Sequence, residues 1–263
     1  MKKADQFLRE KVLPIFKNRL SEKELRRIKN FGKRLLTFHK TSDLTFLAQI
    51  YGTDKWGEHW YTPHYEFHFQ KLRKKRINLL EIGVGGYDKP YSGGSSLRMW
   101  KRYFSKANIF SFDIYDKSPH QESRIKIFQG SQVDSEFLDA VCNEIGNLDI
   151  IIDDGSHLNE HVLFTFHYLF PKLKSGGIYV VEDTQTSYWE HYGGQVEERN
   201  NQGTIMGYFK SLVDGLNHVE FKNKRYEPTY YDLNIISIHF YHNLIFIYKG
   251  DNQETSNLNR KSS

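Results

Sequence analysis

Residues 235–250 read IISIHFYHNLIFIYKG, two apolar segments that are joined only by His242 and Asn243. A connection of two residues is enough for a tight turn and far too short for a crossover between parallel strands. The stretch therefore predicts an antiparallel hairpin. Since the apolar segments upstream are separated by longer connections, this hairpin is expected to be the exception in an otherwise parallel sheet.

Five upstream segments are short and apolar throughout: residues 77–84 (INLLEIGV), 108–115 (NIFSFDIY), 125–129 (IKIFQ), 148–153 (LDIIID) and 177–182 (GIYVVE). Helical patterns lie between most of them, over 95–104, 134–146 and 159–173. The pattern predicts an α/β fold, a Rossmann-like sheet of parallel strands with a terminal antiparallel hairpin, flanked by helices. This outline resembles class I S-adenosylmethionine (SAM) methyltransferases more than dinucleotide dehydrogenases, which usually continue with further βα units.

The net charge of +5 is unevenly distributed over the 263 residues. Residues 1–40 contain 13 Lys and Arg against 4 Asp and Glu, and the remainder carries an excess of acids. A nucleic-acid enzyme would carry basic residues and stacking aromatics over its main surface, so we expect no nucleic-acid partner. The basic segment is predicted to be a solvated helical arm, with contact to an anionic membrane or an acidic partner as the alternative.

Three regions follow from these patterns. Residues 1–42 are predicted to form the basic arm, with helices over 4–20 and 22–37, the second opened by a capping box of Ser21 and Glu24. Residues 43–250 hold the sheet. Residues 251–263 are polar and predicted to be disordered.

The compartment follows from cysteine usage and hydropathy. A single Cys142 excludes a disulfide framework and a CxxC zinc site, and it fits a reducing compartment. The start, MKKADQFLREKV, places charges where a signal peptide needs an apolar stretch. A cytoplasmic protein is therefore expected.

The carboxyl ends of the first three strands predict an adenosyl ligand. Glu81 precedes a glycine turn in which Asp88 stands where a GxGxxG motif needs its third glycine, which disfavours NAD. Glu81 suits a positively charged group, and Asp113 suits the two hydroxyls of a ribose. The predicted cofactor residues are Glu81, Gly83, Gly85, Ser96, Asp113, Gly130, Ser131, Gln132 and Asp153, the last facing either the cofactor or the sheet.

The fourth and fifth strands end in acids, Asp153-Asp154 and Glu182-Asp183. Neighbouring strands lie about 4.8 Å apart, so these carboxylates crowd one edge and favour a hard cation, Mg²⁺ or alternatively Mn²⁺ or Ca²⁺. We assign Asp154, Glu182 and Asp183 as ligands; the alternative is that they are helix caps and turn acids. His157 lies three residues beyond Asp154 and is the candidate general base, since a metal would acidify a bound hydroxyl.

The motifs together resemble the metal-dependent sugar O-methyltransferases of antibiotic biosynthesis, of the mycinamicin and tetracenomycin-rhamnosyl types. The resemblance spans roughly residues 43–249 and rests on YGTDKWGEHWYTPHYEFHF, EIGVGGYDKPYSGG, IIDDGSH and VVEDTQTSYW. It implies SAM and Mg²⁺ as cofactors, metal binding by Asp154, Glu182 and Asp183, and His157 as base. We further expect GTDKW to fold over the cofactor as a lid, with Thr53 or Lys55 near the SAM carboxylate.

The acceptor is the least defined part of the prediction. Candidate walls of its pocket are the aromatic residues Tyr61, Tyr65, Tyr188, Trp189 and Tyr192, although core packing explains any one of them equally well. Relatives of the mycinamicin type carry a larger N-terminal domain, so the macrolide substrate is not carried over. We expect a homo-oligomer acting on a saccharide or small-molecule acceptor. The alternatives are a catechol or vicinal-diol methyltransferase and a non-catalytic SAM- or glycan-binding protein.

Overall fold

One mixed sheet organises the protein in a computed structural model, which describes residues 21–256. Its strands are β1 (Asn78–Ile82), β2 (Asn108–Asp113), β3 (Ile125–Gln129), β4 (Leu148–Asp153), β5 (Leu173–Glu182), β6 (Ile235–Tyr241) and β7 (Leu244–Lys249). They lie in the order β3-β2-β1-β4-β5-β7-β6. The first five are parallel, and β7 is antiparallel to both β5 and β6. This confirms the predicted parallel sheet with a terminal hairpin.

Helices cover both faces of the sheet. The described α-helices are α1 (Glu22–Leu36), α2 (Leu44–Tyr51), α3 (Thr62–Phe69), α4 (Ser95–Tyr103), α5 (Ser135–Ile145), α6 (Asn159–Leu169), α7 (Ile205–Ser211) and α8 (Tyr230–Asn234). One apolar layer packs α2, α3 and α4 against the sheet and includes Trp100 and Phe246. The opposite layer packs α5, α6 and α7 and includes Phe166 and Val181. Because both faces are buried, the central strands are apolar throughout, as the sequence indicated.

The predicted boundaries agree closely except at β5. This strand begins at Leu173 instead of residue 177, and α6 ends at Leu169 instead of residue 173. The physical reason is a register shift: Leu173 pairs with Leu148, and regular pairing resumes only at Ile178 opposite Ile150.

The arm is described from residue 21 onward. Ser21 and Glu24 form the predicted capping box at the start of α1. Arg102 of α4 links the end of α1 to the sheet domain by donating to the Arg34 carbonyl at 3.1 Å.

The predicted helix over 4–20 lies outside the described residues, and residues 251–256 contain no helix or strand. Among the described helices, none combines the length and apolar character that crossing a bilayer requires.

The carboxyl ends of β1, β4 and β5 meet at one edge of the sheet. Ile82 pairs with Asp153, and Asp153 pairs with Val181. Glu182 then pairs with Leu244 at the start of β7, next to the hairpin turn. The acids that follow these strands are therefore brought together by strand register alone.

Candidate active site

Three partly exposed side chains, Asp154, His157 and Asp183, lie together at this edge of the sheet, and we call this group the mouth of the site. Asp154, His157 and Asp183 each offer a ligand atom, and these atoms lie within 4.8 Å of one another. His157 Nε2 lies 3.6 Å from Asp183 Oδ2 and 4.0 Å from Asp154 Oδ1. All three side chains are 17 to 25% exposed. Two partly exposed carboxylates fit a divalent cation such as Mg²⁺ or Mn²⁺, and the imidazole lies beside them.

Two of these residues, His157 and Asp183, have an uncommon backbone conformation. His157 has φ +58° and Asp183 has φ +54°, the left-handed region that non-glycine residues seldom adopt. Both residues follow a strand directly or within a short turn. Such conformations persist where the surrounding structure imposes them, and they concentrate at functional sites.

Asp183 is surrounded by donors. Tyr61 donates its hydroxyl to Asp183 Oδ1 at 2.7 Å, and His59 Nε2 lies 3.6 Å from the same oxygen. Burial acts to raise the pKa of Asp183, but His157, Tyr61 and His59 outweigh it and the pKa is lowered. Asp183 therefore stays ionised and available to a cation.

Behind this mouth lies a buried lysine that binds three carboxylates. Lys55 is fully buried, and its Nζ lies 2.6 Å from Glu182 Oε1, 2.7 Å from Asp154 Oδ2 and 3.3 Å from Glu81 Oε1. Burial alone would lower the pKa of Lys55, but the three carboxylates raise it well above its ordinary value. Lys55 is thus a permanent cation inside the site.

Glu182 belongs to this interior, not to the group at the mouth. It is 3% exposed, and its Oε1 accepts from both Lys55 and the Tyr65 hydroxyl. Burial raises the pKa of Glu182, as does the charge of Asp154. Of the three predicted ligands, the structure gathers Asp154 and Asp183 with His157, while Glu182 lies one step deeper.

Glu81 is the deepest acid of the site. It is completely buried; its Oε1 forms an ion pair with Lys55 Nζ at 3.3 Å, and its Oε2 lacks a hydrogen-bond partner. Burial raises the pKa of Glu81 to about 7, against the lowering effects of Lys55 and Ser96. A buried carboxylate with one oxygen that lacks a partner fits the predicted role of Glu81 in receiving a cationic group of a cofactor.

The glycine turn after β1 packs closely against the backbone of the turn that follows β4. Gly83 has φ +91°, and a Cβ at this position would collide with the carbonyl of Asp154. Asp113 Oδ2 accepts from the Val84 amide at 3.0 Å, and the Gly130 amide donates to the Asp113 carbonyl at 3.0 Å. The predicted adenosyl residues at the ends of β1, β2 and β3 therefore lie along one edge. Gly85 beside them has open space around it.

Two predicted cofactor residues, Gln132 and Asp153, make side-chain contacts within the protein. Gln132 is buried; its Nε2 donates to Thr165 at 3.0 Å and its Oε1 accepts from the Ser156 amide at 2.8 Å. These bonds engage the side-chain amide within the protein, and an adenine contact of Gln132 stays a prediction. Asp153 faces the protein interior, where Tyr179 donates to it and burial raises its pKa to about 7. Ser131 remains partly exposed after β3.

The segment predicted to be a lid and the first two aromatic walls also need correction. Thr53 and Lys55 are buried, and the Lys55 ammonium binds protein carboxylates, so it is not free for the carboxylate of SAM. Tyr61 and Tyr65 are 1% and 0% exposed and donate to Asp183 and Glu182. Their rings leave no face for an acceptor because they support the acids from behind.

The other predicted aromatic residues do border open space. Tyr188 and Trp189 are exposed. Trp189 lines an open groove of about 430 Å³ together with Glu190, His191 and Val196, and its ring stacks on His191 at 5.9 Å. The groove begins six residues beyond Asp183 along the chain. Apolar ring faces beside polar groups suit a sugar.

Sequence reasoning missed two parts of the site. His59, stacked on Tyr61 at 4.7 Å, approaches Asp183, and Lys55 bridges acids from three different strands. Both residues lie in the GTDKWGEHW stretch that carried part of the resemblance. No spacing rule connects that stretch to Asp154 and Glu182, which lie 99 and 127 residues beyond Lys55.

The known proteins that this chain resembles in sequence are O-methyltransferases. No protein-family model matches the chain. Mycinamicin VI 2''-O-methyltransferase of Micromonospora griseorubida is 48% identical over 214 residues, which cover 81% of this chain and 54% of the relative. The 8-demethyl-8-alpha-L-rhamnosyl tetracenomycin-C 2'-O-methyltransferase of Streptomyces olivaceus is 45% identical over 218 residues, 82% of this chain and 57% of that protein. The chain thus spans about half the length of the curated relatives it matches.

A solved structure matches over the same region. MycE methyltransferase from the mycinamycin biosynthetic pathway, in complex with Mg, SAH and mycinamycin VI, has a TM-score of 0.77 at 48% identity, covering 81% of this chain and 55% of MycE. The sheet is therefore that of a class I methyltransferase. The close homologues of this chain are sugar O-methyltransferases from macrolide and tetracenomycin pathways, as the motifs had indicated.

Proposed function

We propose that this chain is a SAM- and Mg²⁺-dependent O-methyltransferase that acts on a sugar hydroxyl of a glycosylated natural product or saccharide. The observation that carries the proposal is the gathering of Asp154, His157 and Asp183 at the carboxyl edge of the sheet. The presence of Mg and SAH in the homologous MycE structures supports the same cofactors here. The named activities of the homologues support methyl transfer to oxygen.

The chemistry is divided between the cofactors and the chain. When bound, SAM supplies an activated methyl group, and a divalent cation acidifies and orients the acceptor hydroxyl. Asp154 and Asp183 would hold the cation, with Glu182 behind them. His157 Nε2 is the atom that would take the hydroxyl proton, because it points between the two carboxylates.

Other residues hold the reactants in place. Glu81 would receive the amino group of SAM, and Asp113 and Gly130 would hold its adenosyl part. The groove beside Trp189 and His191 offers stacked ring faces to a sugar. Holding the hydroxyl near the methyl group and excluding water would account for much of the rate.

The first test is calorimetric titration of SAM into the purified chain, with and without Mg²⁺. Binding in the micromolar range, about −8 kcal/mol, is expected. Methyl transfer should then be screened over deoxysugar glycosides, free sugars and catechols. Transfer to catechol alone would contradict the sugar assignment and favour the vicinal-diol alternative. Binding of SAM without transfer to any of these acceptors would favour the non-catalytic alternative.

Some features stay predictions of the sequence. They are the cytoplasmic location, the homo-oligomeric state, and the division into a basic arm, a methyltransferase domain and a polar tail. The acceptor is not transferred from any relative, because the matched region covers only 54 to 57% of the curated proteins.

A further inference from the structure

The ammonium ion of Lys55 occupies an unusual position in the site. It is wholly buried and touches acids from the ends of β1, β4 and β5, at 3.3, 2.7 and 2.6 Å. No predicted step of methyl transfer uses it. Burying a charged lysine costs desolvation free energy. The position of Lys55 among these acids therefore suggests that it has a function in the site.

The contacts of Lys55 are specific at the level of single oxygens. It holds Oδ2 of Asp154, and the contact of Asp154 with His157 at the mouth is made by the other oxygen, Oδ1. It holds Oε1 of Glu182, the same oxygen that accepts from Tyr65. Each carboxylate therefore has one oxygen fixed by protein donors and one left for a ligand.

We propose that Lys55 is a positioning residue that prevents Asp154 and Glu182 from binding a metal through both oxygens, and thereby favours Mg²⁺ over Ca²⁺. The argument rests on the proposed function, which requires a divalent cation at this site. Mg²⁺ takes six ligands in a small octahedron and suits single carboxylate oxygens. Ca²⁺ takes six to eight ligands and readily accepts carboxylates through both oxygens.

Charge compensation is the competing explanation, and it makes a different prediction. Lys55 contacts Glu81, Asp154 and Glu182, and its charge also acts on Asp183, so Lys55 reduces the negative charge of the cluster. Mg²⁺ and Ca²⁺ carry the same charge. A purely electrostatic role would therefore change the affinities for both ions by similar factors, whereas a role in fixing carboxylate oxygens changes their ratio.

The experiment measures that ratio directly. Binding of Mn²⁺ to the full chain is followed by the electron paramagnetic resonance signal of free Mn²⁺, and Mg²⁺ or Ca²⁺ is used to displace it. In Lys55→Met, the ratio of the Ca²⁺ to the Mg²⁺ dissociation constant should fall by about tenfold or more. Lys249→Met is the matched control, because Lys249 is a buried lysine at the opposite edge of the sheet that donates only to the Phe170 and Pro171 carbonyls.

A second variant covers the case in which Lys55→Met does not fold. At pH 8, the double variant Lys55→Met with Glu81→Gln removes one positive and one negative charge, so the net charge of the cluster is preserved while the contacts of Lys55 are lost. The same fall in the ratio is expected. An unchanged ratio in a folded variant that binds Mn²⁺ would overturn the role of Lys55. Failure of the unaltered chain to bind Mn²⁺ would instead overturn the metal site of the proposed function, and this role with it.

Discussion

The interior and the mouth of one carboxylate cluster differ sharply in this protein. In the interior, Glu81 and Glu182 are buried, and burial raises their pKa values. At the mouth, Asp154 and Asp183 have side chains 22% and 17% exposed. The pKa of Asp183 is lowered by the donors around it despite its burial.

The difference shows how one strand edge can supply two functions from the same residue type. The interior acids are held by Lys55 and Tyr65, so they are fixed in place. The mouth acids retain access to solvent and share His157, so they can receive a cation and a hydroxyl. Depth below the surface, more than residue type, determines which acid positions and which acid reacts.

The largest effect is expected from Asp183→Asn, which removes from the mouth an ionised carboxylate that is proposed to bind the cation. The amide keeps an oxygen that can accept from Tyr61, so the fold should survive, whereas stabilisation of the developing charge is lost. The kcat for sugar methylation should fall by about 10³-fold. The assay is methyl transfer at saturating Mg²⁺, with Asp139→Asn, a surface acid paired with Lys172, as control. Retention of metal-dependent activity would show that Asp183 is not a ligand.

His157→Ala tests the base of the same region and should be somewhat milder. Loss of a proton acceptor should lower kcat by about 10²-fold while the SAM dissociation constant, measured by calorimetry, stays near its original value. His242→Ala, in the exposed turn of the hairpin, is the matched control. If SAM affinity and kcat fell together, His157 would be a structural residue of the β4 turn.

The mouth was the more predictable half of the site. Asp154, His157 and Asp183 directly follow strands whose apolar character is plain, and parallel strands must end at a common edge. The same logic predicted the sheet and its terminal hairpin. Adjacent residues at a strand end point to opposite sides, so Glu182 and Asp183 must differ in burial. The sequence pattern did not show which of the two would be the buried one.

The interior depends on contacts that sequence spacing does not encode. Lys55 meets Asp154 and Glu182 across separations of 99 and 127 residues. Tyr61 and Tyr65 were predicted to face the acceptor because aromatic residues suit sugars, but α3 and the turn before it carry them beneath the acids. Such placements follow from packing of α3 against the sheet and not from local pattern.

The pH dependence of stability should reveal the interior acids. The pKa of Glu81 is raised from 4.5 to about 7 in the folded state, so the folded chain binds more protons than the unfolded chain between these values. Stability without ligands should therefore fall as the pH rises from about 4.5 to about 7, with a contribution on the order of 2–3 kcal/mol from Glu81. Urea unfolding of Glu81→Gln across this range should show a flatter profile. Glu144→Gln, an exposed acid paired with Lys126, should leave the profile unchanged, and an equal flattening there would contradict the assignment.

The smallest effects should come from two tyrosines that separate the interior from the mouth. Tyr65→Phe leaves a buried oxygen of Glu182 with one donor fewer and should reduce the free energy of unfolding by about 1–3 kcal/mol. Tyr61→Phe should cost less, about 1 kcal/mol, because Asp183 is partly exposed and keeps His59 and His157 as neighbours. In return, Tyr61→Phe should lower kcat several-fold more than Tyr65→Phe, since Asp183 faces the cation. Urea denaturation and steady-state kinetics of both variants test this. If Tyr61→Phe lost more stability and Tyr65→Phe lost more kcat, burial would not separate positioning acids from reacting acids in this cluster.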